Sequence, residues 1–160
     1  MRITIPTLIA LSLLVLPLPV AAQTQVQTIQ TTYMVDQAQF DPCTEELVNF
    51  TGQGHMVTHF TINPTTTMVH VTDVQNTMGP LSGVGLISGI NYKANETVTT
   101  TANTSGQTDQ FDLTMVISEV LMSEGSTSNF VMHTTVHVTV NANGVPTANV
   151  LNMKADCTGQ

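Results

Sequence analysis

Two cysteines, Cys43 and Cys157, bracket almost everything that follows an apolar N-terminal stretch. Neither belongs to a CxxC pair or to a Cys/His spacing of the kind that holds zinc, and no third cysteine competes for them. In an oxidising compartment two such thiols pair. The expected product is one disulfide, which requires Cα atoms within about 7 Å and so joins the two ends of the intervening fold.

The start of the chain supplies that compartment. Arg2 precedes an apolar run over 3–20, and Ala21 and Ala22 precede the polar Gln23-Thr24-Gln25. This is the pattern of a secretory signal peptide over 1–22, cut after Ala22. Pro6, Pro17 and Pro19 interrupt the run and make it a poor retained anchor. The expected location is outside the cytoplasm, extracellular or periplasmic. No later run approaches the ~20 apolar residues a membrane helix needs, so no membrane insertion is expected after cleavage. With Arg2 removed, eleven carboxylates stand against Lys93 and Lys154 alone. Such an acidic chain is a poor partner for nucleic acid or an anionic bilayer, both of which select basic surfaces.

Twenty-eight threonines and many valines argue for strands, because β-branched side chains suit a pleated surface and crowd a helix. Residues 23–42 are rich in Gln and Thr and read as a flexible polar leader, with room for one edge strand near 31–35. Residues 43–157 read as a single β domain. Its runs fall at 47–51, 55–63, 68–75, 83–87, 91–101, 110–122, 129–140 and 147–153, punctuated by Gly52-Gln53-Gly54, Asn63-Pro64, Gly79-Pro80 and Asn143-Gly144. Asn143-Gly144 predicts a type I′ hairpin. In the run 129–140, Phe130, Met132, Thr134, Val136, Val138 and Val140 share one face, and His133 and His137 lie on the other. In the run 110–122, Phe111, Leu113, Met115 and Ile117 share a face. The prediction is an all-β, antiparallel up-and-down meander of about eight strands. The joined ends favour a closed or nearly closed barrel, with a two-sheet sandwich as the alternative.

Several features together resemble a group of uncharacterised secreted bacterial all-β proteins with no known function. They are Pro42-Cys43 with Glu46, Gly52 before His55, His70, Gly83-Val84-Gly85, Gly89 and Tyr92, then Gly125-Ser126, Asn129-Phe130, His133 and the run 137–144. Glu45 departs from this pattern, standing where a small turn residue belongs. The resemblance implies secretion and no particular activity.

Candidate chemistry is sparse, and no cofactor motif is present. His55, His59, His70, His133 and His137 are the concentrated ionisable groups. Residues four apart on a strand stand about 13 Å apart, so metal binding requires histidines from neighbouring strands to converge. The 83–89 glycines lack a Walker lysine and read as places where a sheet bends. Tyr92 and Lys93 are candidates for ligand contact at a barrel mouth. Met56, Met68, Met78, Met115, Met122 and Met132 suit an irregular core, or an interior that accepts a small apolar ligand. Sequons at Asn49, Asn95 and Asn103 are natural accidents of a threonine-rich chain. Two functional classes follow: a secreted, non-enzymatic β domain that binds a small apolar ligand or a surface partner, and a histidine-dependent metal-binding protein or enzyme.

Overall fold

The computed structural model describes residues 23–105, 108, 110–125 and 128–159; the expected signal peptide, 1–22, lies outside them. Among the described residues eight strands follow one another without a helix: β1 (Gln25–Asp41), β2 (Glu46–Asn63), β3 (Met68–Thr77), β4 (Leu81–Gly85), β5 (Asn91–Ser105), β6 (Phe111–Ser123), β7 (Asn129–Val140) and β8 (Pro146–Thr158). All pairings are antiparallel, and one sheet runs in the order β1-β2-β3-β5-β6-β7-β8.

β4 explains the ring of hydrogen bonds through β2, β3, β5 and β4. β3 pairs residues 54–63 of β2 and 97–105 of β5, while β4 pairs residues 48–51 of β2 and 91–94 of β5. β4 therefore continues the line and direction of β3 after a break at Met78-Gly79-Pro80. Gly79 turns with φ of 77°, and Met78 N–H donates to the Gln53 carbonyl at 2.8 Å. The ring closes around this break. β1 and β8, the two ends of the strand order, are not hydrogen-bonded neighbours. They are tied through Cys43, in the turn after β1, and Cys157 near the end of β8, whose Cα atoms lie 5.6 Å apart in the disulfide. The result fits a sheet nearly closed at its disulfide end, as barrel or as sandwich.

The core sits at that end. Val48, Phe50, Leu81, Tyr92, Ala94, Leu121 and Phe130 are buried, with Val35, Cys43, Ile90 and Met132 packed against them. Burial alternates strictly there: Glu46, Val48 and Phe50 point in while Leu47 and Asn49 point out, and β4 repeats the pattern. Towards the other end both faces of β6 and β7 are half-buried, so Phe111, Leu113, Met115, Val136, Val138 and Val140 line an incompletely covered inner face and are not part of the buried core.

Four sequence expectations need correction. The Gly52-Gln53-Gly54 turn does not exist; β2 runs through it in unbroken register with β1. Both glycines face inward, where an added Cβ would lie 2.6 Å from the Leu81 side chain at Gly52 and inside the Tyr33 ring at Gly54, so they provide room. The 23–42 segment is not a loose leader, since β1 spans 17 residues, far beyond the 31–35 segment assigned to an edge strand. The 141–145 turn is not type I′: Asn143 does not adopt positive φ, whereas Gly144 does at 75°. Its N–H reaches the Asn141 carbonyl at 3.0 Å, Asn141 Oδ1 accepts from Asn143 and Val145, and the β7–β8 register shifts at Thr139/Val140. That is a type I turn closed by a left-handed glycine and a bulge. Finally, Gly83 and Gly85 sit in a β4 that keeps unbroken register with β2 and β5, and they make room for side chains. A Cβ at Gly83 would lie 2.6 Å from the Phe50 ring, and one at Gly85 would enter the Glu46 carboxylate.

Glu45, the departure noted in the sequence, takes φ of 56° in the turn before β2, a conformation that favours glycine or asparagine.

Candidate functional site

Two constellations carry chemistry, one on each face of the disulfide end. The inner one begins with Glu46, buried at the start of β2. Its carboxylate accepts from Ser88 Oγ at 2.6 Å, Ser88 N–H at 3.1 Å, Ile87 N–H at 3.2 Å and the Tyr92 hydroxyl at 2.9 Å. The side chain folds over Gly85, where no Cβ obstructs it. These donors, the Ser88 hydroxyl foremost, hold Glu46 well below its ordinary 4.5, at about 2. The clasp fixes the 86–90 loop onto β2. The Tyr92 hydroxyl also lies 2.9 Å from Thr44 Oγ1. Burial raises Tyr92, and the charges of Glu46 and Asp41 add to the shift.

Further along the same face, Glu96 and Glu119 are direct cross-strand partners. Glu119 is buried and accepts a hydrogen bond from Gln39 Nε2. Burial raises its pKa, with the nearby charges of Glu96 and Asp41 contributing, and burial raises Glu96 as well. Asp41 is fully buried; Oδ1 accepts from Cys43 N–H at 2.8 Å, and Oδ2 has no hydrogen-bond partner. Glu96 opens on a cleft of about 190 Å³, walled by Tyr33, Val35, Gln37, Gln75, Asn76, Thr77 and Leu81. This lining is mostly amide, hydroxyl and carboxyl. An apolar ligand calls for Met and Phe walls, and neither residue lines this cleft.

Acidification acts on these groups in opposed directions. Glu96 and Glu119 bind protons more tightly in the folded chain, so between their raised values and 4.5 stability climbs as pH falls. Glu46 contributes fully above 4.5, and its contribution is lost as pH falls towards about 2. The thermal midpoint is therefore expected to peak on the acid side of neutrality, between 4.5 and the raised values of Glu96 and Glu119. Glu119→Gln should raise the neutral-pH midpoint and flatten the rise towards that peak. Melts followed by circular dichroism across the acid range check this; a midpoint that only falls from neutral pH downward contradicts it.

The outer constellation is a groove of about 590 Å³ over β4. Two cross-strand rows build it: Asn49, Val84 and Asn91, then Thr51, Ser82 and Lys93. Leu86 and Glu124 extend its wall. Lys93 Nζ donates to Ser82 Oγ at 2.8 Å, and Asn91 Nδ2 donates to Glu124 Oε2 at 3.0 Å. Tyr92 and Lys93, adjacent in sequence, thus point to opposite faces. The Tyr92 side chain is buried in the core, while Tyr92 and Lys93 both border the groove.

All five histidines lie on the outer face, each engaged locally or alone. His59 bonds Thr28 at 2.8 Å, His70 bonds Asn103 at 2.6 Å, His133 bonds Ser118 at 3.0 Å, and His137 bonds Thr114 at 2.9 Å, with Asp112 3.7 Å away. His55 stands between Thr32 and Asn76. Among the described residues no three His, Cys, Asp or Glu side chains are grouped to hold a metal ion. No helix among them is long and apolar enough to cross a membrane. Comparison with family models, curated proteins and solved structures finds no match.

Proposed function

We propose that this chain is a secreted, non-enzymatic binding domain that holds a small, hydroxyl-rich carboxylate in the groove over β4. The groove itself carries this reading: its roughly 590 Å³ falls in the size range of small-molecule sites. Its rows offer amides and hydroxyls suited to ligand hydroxyls, and Lys93, one of two lysines in an acidic chain, supplies the cation for a carboxylate. The ammonium has three donors and spends one on Ser82. The apolar leader and the resemblance read from the sequence support secretion.

Titration of isotopically labelled protein with glucuronate, and separately with glucose, tests this by NMR. Glucuronate at millimolar concentration is expected to shift the backbone amides of Asn49, Ser82, Asn91 and Lys93, glucose much less. Lys93→Ala should weaken glucuronate binding by about tenfold, the usual worth of a charge-assisted hydrogen bond. Absence of shifts in the groove, or shifts indifferent to Lys93→Ala, removes the reading.

A further inference from the structure

β1 presents an edge of unusual openness. It pairs β2 through 17 consecutive residues from Gln25↔Ile62 to Asp41↔Glu46 without a register shift, and among the described residues no strand lies on its other side in the sheet order. Its side chains are exposed on both faces for most of its length, including Val26, Ile29, Tyr33 and Met34. Natural sheets protect such edges with lysine, proline, bulges or inward charge. β8, the opposite edge, has three of these at hand: Pro146, Lys154 and the bulge at Thr139/Val140 beside it. Residues 25–35 of β1 have none, and the first charge comes at Asp36.

We infer that residues 25–35 pair antiparallel with the same segment of a second copy of this chain, about a two-fold axis at Gln30. Charge selects the location. The chain carries a net charge of −8, which opposes self-association, yet neither residues 25–35 nor their β2 partners over 52–62 contain an Asp or Glu. The sequence selects the partner. In that register Gln30 faces Gln30 of the partner subunit, each Thr28 faces a Thr32, and each Val26 faces a Met34, all on one face; on the other, each Gln27 faces a Tyr33 and each Ile29 a Thr31. On the first face, therefore, like meets like across a closed, isologous contact, with matched hydroxyl, amide and apolar pairs directly opposite. The β2 residues of the groove, Asn49 and Thr51, lie opposite Ala38 and Asp36, beyond residues 25–35, so the groove does not enter the contact.

Sedimentation velocity on the purified chain reads the outcome. Wild type is expected to be dimeric in the micromolar range, and Gln30→Lys and Gln30→Glu each monomeric at the same concentration, because each sets two like charges face to face on the axis. An equimolar mixture of the two variants should recover the dimer. Far-UV circular dichroism must show the wild-type sheet signal in both. Should either variant fail to fold, Gln30→Cys replaces the pair and should give an interchain disulfide on mild oxidation. A monomeric wild type, which is also the result if a foreign strand is the natural occupant, overturns the inference. So do singly substituted variants that stay dimeric, a mixture that stays monomeric, or a Gln30→Cys chain that forms no interchain bond.

Discussion

Replacing Cys43 and Cys157 together by serine is expected to lower the thermal midpoint by roughly 15 °C, since closing so long a loop contributes about 4 to 5 kcal/mol and each kcal/mol moves a domain of this size by a few degrees. The bond spans 114 residues and encloses every strand except β1. Its structural setting adds to the entropic argument. β1 and β8 are not paired to each other, so no ladder of hydrogen bonds takes over when the bond is removed. Cys157 lies opposite Phe130, a core residue, and Cys43 packs against the same cluster while its N–H holds Asp41. Opening this end therefore exposes core as well as chain. Melts of the double-serine variant, and of wild type in reductant, should agree. A fall of less than about 4 °C would mean that packing alone holds the ends together.

How much of this was legible in the sequence depends on what each signal reports. Alternation reports which residues share a face, and it placed Phe130 and Met132 opposite His133 and His137 correctly. It says nothing about whether a face is covered, and the sheet leaves Val136 and Val138 half-buried although they share a face with Phe130. Glycine was the ambiguous letter. Gly52 and Gly54 look like a turn in a chain this rich in punctuation, yet they serve side chains arriving from β4 and β1, which no local window contains. The inner carboxylates were overlooked for a related reason. Glu119 stands in phase with Phe111, Leu113, Met115 and Ile117, and a carboxylate in an apolar register is a readable sign of a buried acid. Glu46 was visible only as one feature of the resemblance; its donors come from Ser88 and Tyr92, more than forty residues away. The histidines were visible and their dispersal was not, because convergence is a property of strand order.

Tyr92→Ala is expected to be the most damaging substitution in the core, costing about 3 to 5 kcal/mol for the loss of a buried ring. Tyr92 is 1% exposed, and its ring meets Phe50 edge to face with centroids 6.4 Å apart at 84°. The hydroxyl has a separable role, because it donates to Glu46 and bridges to Thr44. Tyr92→Phe keeps the ring and removes only that group, so about 1.5 to 3 kcal/mol is expected, the worth of a hydrogen bond to a charged partner. With one donor fewer, Glu46 should titrate higher, so the acid loss of stability should be smaller in the Phe variant and complete at higher pH than in wild type. Lys93→Ala, one residue on but facing solvent, should leave stability within about 0.5 kcal/mol. Urea unfolding of the three variants gives the ranking. If Tyr92→Phe is as stable as wild type at every pH, the hydroxyl does not hold Glu46. If Tyr92→Ala costs no more than Tyr92→Phe, the ring is not a member of the core that closes this end of the sheet.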